Sequence, residues 1–234
     1  MENKELVKFI CAIFISIMVS LLLIFASYEP KNVIYEGKFI VGNEKQELTK
    51  VKRLQEENNN EDIKGYLTIP GTSISEPVLQ GKDNEFYLSR GLNKKKNLIG
   101  SVYLDYRVKI NEKKNIIFSH NSSTLDVPFK ELENYYDKDY YLNHQYIYLE
   151  DTNKIQKYQI FSVFVEVKDW SYMQLEFSQD EWLNHINNLK NKSWHENDII
   201  LENDDEILIL QTCSHHKKYT KYNNKYLLIV AKKV

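Results

Sequence analysis

The sequence is short of the residues that several functions would need. Only two of its 234 residues are cysteine. Cys11 lies in an N-terminal apolar stretch and Cys213 near the other end, so no disulfide framework is available to a folded domain. Seven glycines are scattered and form no phosphate-cradling loop. Histidine, cysteine and acidic residues are dispersed without metal-ligand spacing, so no metal and no cofactor are expected. Charge is nearly balanced at −2, which leaves no electrostatic footprint for nucleic acid. Arginine is scarce, with Arg53, Arg90 and Arg107 the whole complement, and none follows Cys213.

What is present begins with an apolar run. Phe9 to Tyr28 carries no charge, and a helix of about 20 residues spans about 30 Å, the thickness of a bilayer core. Lys4 and Lys8 precede it, which predicts a cytoplasmic N-terminus. A cleaved signal peptide is the alternative, since Phe25-Ala-Ser27 is a tolerable cleavage site, but the run is long for one. The expected organisation is a cytoplasmic tip and single-pass anchor at 1–28, a juxtamembrane spacer at 29–43, and one extracytoplasmic domain at 44–234.

Within that domain the pattern is mainly β. Glu44 to Asn60 places Leu48, Val51 and Leu54 at helical spacing, with the Asn58-Asn-Asn60 run ending the helix. Short strands are then expected around 66–69, 76–81, 100–105, 115–120, 145–149, 157–165, 206–212 and 226–230. Many short strands at this spacing favour a barrel or sandwich. Two helices interrupt them: Pro128 to Tyr135, and a longer one opened by the capping box Ser178-Gln-Asp-Glu181, with Trp182, Ile186 and Leu189 on one stripe. His185, on that helix, is expected to face solvent.

Cys213 closes the apolar run Glu206-Ile-Leu-Ile-Leu-Gln-Thr and a polar segment follows. A thiol needs a base or an electropositive setting to attack a carbonyl. His215 and His216 follow too closely for strand geometry to aim them at the sulfur, and His144 and His195 fall in loops. His120 ends the apolar strand Ile116-Ile-Phe118 and opens the polar loop Asn121-Ser-Ser-Thr124. A strand-end histidine and a strand-end cysteine on neighbouring strands make a nucleophile and an acid/base pair. A solvated loop histidine is the bland alternative.

Five blocks resemble the class B sortases, membrane-anchored cysteine transpeptidases of Gram-positive bacteria. They are Gly65-Tyr-Leu-Thr-Ile-Pro-Gly-Thr72; Pro77-Val-Leu-Gln-Gly-Lys-Asp-Asn84 with Tyr87-Leu88; Gly100-Ser-Val-Tyr-Leu-Asp-Tyr-Arg107; Ile116-Ile-Phe-Ser-His-Asn121 with Phe129-Lys-Glu-Leu132; and Leu208-Ile-Leu-Gln-Thr-Cys213. The order is that of the family and the likeness runs from about residue 44 to the C-terminus. The resemblance implies a closed sortase-type β-barrel with an N-terminal helix, a short helix after the histidine strand and a longer one before the cysteine strand. It implies that Cys213 attacks the threonine carbonyl of an LPxTG- or NPxTN-like sorting signal, that His120 shuttles the proton, and that a peptidoglycan precursor amine resolves the thioester. The partners implied are sorting-signal-bearing surface proteins, that amine, and the membrane through the N-terminal helix; the enzyme would sit on the outer face of the cell membrane.

The chain departs from the family at several places. Ser119 stands where glycine is usual, and Ile209 where some members have threonine. Tyr226 stands where the family has an arginine that holds substrate and stabilises the oxyanion. Tyr226 is one substitute, with Thr212 beside the nucleophile as another possible substrate-holding group; Lys217, Lys218 or Lys221 reaching in from the loop is a third. Lys225 is expected to face away by strand alternation, and Arg107 to make a structural ion pair. Trp170, Tyr172 and Met173 either line the signal groove or pack in the core. The competing functions are a low-activity module that binds sorting signals and a hydrolytic cysteine peptidase.

Overall fold

The computed structural model describes residues 49–234. The expected anchor, the spacer and residues 44–48 of the first helix lie outside the described residues. Among the described residues no helix is long and apolar enough to cross a membrane.

Eight strands close into a barrel: β1 (Ile63–Thr68), β2 (Ser75–Leu79), β3 (Val102–Leu104), β4 (Lys114–Phe118), β5 (Tyr146–Glu150), β6 (Ile155–Glu166), β7 (Ile207–Cys213) and β8 (Tyr226–Lys233). Their order around the barrel is β1-β2-β3-β4-β7-β8-β6-β5. All eight expected strands are present. Most neighbours are antiparallel, but β2 with β3 and β4 with β7 are parallel. A parallel pair needs a long crossover, and residues 119–206 supply it between β4 and β7.

Alternation along β7 explains its nearly unbroken apolar character. Leu208 and Leu210 point into the barrel beside Ile117, Leu227 and Ile229. Ile207 and Ile209 point outward into a second core with Ile116, Phe118, Leu228 and Val230. A strand buried on both faces must be apolar at successive positions.

The outer core is covered by helix α3 (Gln179–Asn191), whose Trp182, Ile186 and Leu189 are buried. Both halves of its expected capping box form. Ser162 Oγ of β6 donates to the Leu189 carbonyl at 2.6 Å, pinning the helix to the barrel. The first helix, α1 (Lys50–Asn58), is capped by Thr49 and ends at Asn59, whose φ of 45° is left-handed. The helix expected at 128–135 is instead a 3-10 segment, Lys130–Tyr136, followed by α2 (Lys138–Asn143). Asp137 separates them because its carboxylate accepts from the Tyr140 amide at 2.8 Å and caps α2.

His185 does not face solvent. It stands three residues after Trp182, on the stripe that packs inward, and is 8% exposed. Its Nε2 lies 2.8 Å from the Nζ of Lys114, itself buried, and that amine also donates to the Gln174 carbonyl at 2.8 Å. No carboxylate pairs with Lys114 among the described residues. Burial pushes the amine down to about 7, with the charge of Arg107 adding to the effect. Burial and the neighbouring Lys114 push His185 down to about 3. Near neutral pH and above, the unfolded chain therefore holds a proton on Lys114 more tightly than the folded one does, so folding stability rises with pH between about 7 and 10. Lys114→Met should flatten that rise, which denaturant titrations across the window measure.

Candidate active site

The parallel pairing of β4 and β7 builds the site. Phe118 is registered with Gln211, so two residues further along each chain His120 and Cys213 stand level, on the same outward face. Three hydrogen bonds lock the two strand ends together. The Ser119 amide donates to the Gln211 carbonyl at 3.2 Å. The Thr212 hydroxyl donates to the Ser119 carbonyl at 2.8 Å, and the Asn121 side-chain amide donates to the Cys213 carbonyl at 2.8 Å. Thr212 is thus a buried inward residue whose hydroxyl fixes the strand ends.

Cys213 is exposed and unbridged. Its thiol and the His120 imidazole make no hydrogen bond to each other; catalytic contacts are often long before substrate arrives. His120 is oriented from behind, with Nε2 2.7 Å from the Leu88 carbonyl. When Nε2 donates there, Nδ1 is the nitrogen free to exchange a proton. Gly100 makes this contact possible. Its φ is +65°, and a Cβ there would sit 2.5 Å from the Leu88 oxygen and 3.0 Å from His120 Cδ2.

Tyr226 is paired directly across from Cys213. Burial raises its phenol above the usual value, and proximity to the Cys213 charge adds to this, so it stays a protonated donor. The Trp170 ring, 47% exposed, meets the Tyr226 ring edge-on at 5.3 Å. Tyr172 is buried below Trp170, their centroids 6.1 Å apart. Met173 is half-buried, and its carbonyl accepts from Arg107 Nη2 at 3.2 Å. Arg107 forms the expected structural pair, a two-pronged contact with buried Asp105 at 3.0 and 2.7 Å.

Lys225 precedes the first residue of β8 and continues its ladder against β7. Burial raises the Cys213 thiol above its ordinary value, and the Lys225 charge acts in the opposite direction. The Lys225 backbone carbonyl accepts from the Ser214 amide at 2.9 Å, and its Nζ donates to the Tyr222 carbonyl at 3.1 Å. Lys217, Lys218 and Lys221 are exposed, with Lys218 and Lys221 lying over the Tyr219 and Tyr222 rings. Sequence reading also missed Tyr103 and Gln211, both on the outer face beside the thiol. Gln211 stands two residues before Cys213, and that spacing alone was enough to place it there.

An exposed strand-end thiol, a level imidazole and a protonated phenol across the sheet are the parts of an acyl-transfer site. The comparisons agree with that chemistry. A family model described as the sortase domain matches residues 67–234. Sortase B of Listeria monocytogenes is 32% identical over 184 residues, covering 77% of this chain and 72% of that protein. Sortase B of Staphylococcus aureus is also 32% identical over 184 residues, covering 75% and 72%. The crystal structure of Clostridium perfringens sortase B superposes with a TM-score of 0.70 at 29% identity, over 78% of this chain and 98% of that one. The Staphylococcus aureus sortase B–substrate complex superposes with a TM-score of 0.69 at 26% identity, over 79% and 84%. The chain belongs to the sortase family. Within it the similarity is to the class B members, so it is a cysteine transpeptidase.

With its thiol raised above the ordinary value, Cys213 should be alkylated by iodoacetamide at a rate that keeps climbing with pH through the alkaline range. Lys225→Met should displace that climb to higher pH, and an unchanged profile would show that the Lys225 charge does not reach the sulfur.

Proposed function

We propose that the protein, held at the outer face of the cell membrane by residues 1–28, joins surface proteins to the cell wall. The reading rests above all on His120 and Cys213 standing level at the cross-tied ends of β4 and β7. The Cys213 thiolate attacks the threonine carbonyl of an LPxTG- or NPxTN-like signal. The carbon–nitrogen bond then breaks, the departing amine takes a proton from His120, and a thioester remains. A peptidoglycan precursor amine attacks next, yields a proton to His120, and expels the thiolate. Two easier displacements replace one difficult amide exchange.

Tyr226 donates its phenol hydrogen to the oxyanion in both steps, in the place where the family resemblance puts an arginine. A neutral donor of this kind stabilises developing charge without forming an ion pair with the ground-state substrate. Trp170 walls the groove beside it. The membrane placement draws its support from the uncharged Phe9–Tyr28 run and the lysines before it. The alternative of a signal-binding module with little turnover is favoured by the raised thiol and the missing guanidinium.

Mass spectrometry separates these readings. Incubation with a sorting-signal peptide should give a covalent adduct that Cys213→Ala abolishes; binding with no adduct from peptides of either signal kind would leave only the module. Release of free acid at the same rate with and without an added amine would indicate a hydrolase. Tyr226→Phe should lower kcat by about a hundredfold while changing KM little, the pattern for loss of a donor used only in the transition state. Steady-state kinetics measures that split.

A further inference from the structure

A cavity of about 1360 Å³ lies at the rim of the barrel opposite the thiol. Lys114, one of its lining residues, opens β4, and His120 lies just past the other end of that strand. Six residues of extended chain, roughly 20 Å, separate the two. Lys114 is 3% exposed. An ammonium carries three donors. One of them meets the Gln174 carbonyl and another meets His185 Nε2, each at 2.8 Å. The third has no acceptor among the described residues.

Buried charges are normally paired, and this one is not. Asp105, the one carboxylate whose charge favours the ammonium, is already held by Arg107 at 3.0 and 2.7 Å. Glu112, Glu176 and Asp204 line the same cavity without forming an ion pair with Lys114. Beside the amine the wall is aromatic. Its Nζ lies 5.2 Å from the centre of the Phe177 ring, and the Phe177 and Trp182 rings meet at 5.3 Å. Lys113 adds a further positive charge, with Nζ 5.0 Å over the Trp182 ring.

We propose that this cavity binds a small organic monocarboxylate, its charge on the Lys114 amine and its apolar body against the Phe177 and Trp182 rings. One free donor and an aromatic wall suit a single negative charge carried on an apolar frame. A multiply charged anion such as phosphate would meet repulsion from Glu112, Glu176 and Asp204. Binding is coupled to a proton. Burial, with the Arg107 charge added, lowers the free amine to about 7, and a bound carboxylate supplies the counter-charge that raises it again. The carboxylate therefore binds best below about pH 7, where the amine is already charged, and must recruit a proton above it. His185, pushed down to about 3, stays neutral through this window and keeps accepting from the amine.

Calorimetry on the full chain tests the site, with benzoate, benzamide and inorganic phosphate as probes. Benzoate should bind at least about tenfold more tightly than benzamide, which has the ring without the charge, and Lys114→Met should weaken it by a similar factor, the span of a hydrogen bond to a charged group. Near pH 8 benzoate binding should take up close to one proton and near pH 6 close to none, read from the heats in two buffers of different ionisation enthalpy. Benzoate and benzamide binding alike, no binding of either, or a Kd within twofold of the parent in Lys114→Met would overturn the site. Phosphate binding more tightly than benzoate would overturn the carboxylate assignment. Should Lys114→Met fail to fold, the proton count in the parent chain decides, and no uptake near pH 8 overturns the proposal. None of these outcomes touches the transpeptidase reading.

Discussion

The parallel register of β4 and β7 is the constraint on which the site depends. An antiparallel pair would carry its two C-terminal ends to opposite rims, so a histidine closing one strand and a cysteine closing the other could never meet. Parallel pairing brings both ends to the same rim. Burial on both faces then fixes the alignment, since a slip of one residue would turn Ile207 and Ile209 inward and Leu208 and Leu210 outward. The Thr212–Ser119 and Asn121–Cys213 hydrogen bonds hold the last residues after the ladder itself has ended. The catalytic geometry is thus a by-product of core packing, and Gly100 and Leu88 set only the final orientation of the imidazole.

The electrostatics of the rim are unusual for a site that must stabilise negative charge. No arginine lies after the nucleophile, and Arg107 is tied to Asp105, where burial works to raise the carboxyl but the guanidinium hydrogen bonds hold it below the usual range. What acts on the thiol instead is the charge of Lys225, with phenols in the neighbourhood that stay protonated. Neutral donors lower the energy of an oxyanion when it forms but do little for the resting thiolate.

The strands were legible because period-two alternation and turn residues survive in a barrel, and the nucleophile was legible because Cys213 ends an apolar run abruptly. His120 was recoverable by the same logic from Ile116-Ile-Phe118. The errors arose where a residue's partner lies far away in sequence. His185 reads as a polar helix residue until Lys114, contributed by a distant strand, is seen against it. The 128–135 segment reads as a helix, but it winds as a 3-10 segment that ends where Asp137 caps the next helix.

Burial falls away along the outer face of β7 toward its C-terminal end. Ile207 and Ile209 are sealed, Gln211 is half-buried and Cys213 is exposed. The cover over the sealed part is α3 with the segment leading into it, anchored by the Ser162–Leu189 bond and by Lys114 holding the Gln174 carbonyl. The crossover that parallel pairing demands has been used as a lid over half of the strand, and it stops short of the nucleophile. Trp170, at the start of that segment, is partly exposed and meets the Tyr226 ring edge-on. A longer cover would bury the thiol, and a shorter one would expose Ile209 and Phe118 to water. The open length is therefore set by the same apolar burial that stabilises the fold, and the polar groups in it are those the cover does not reach.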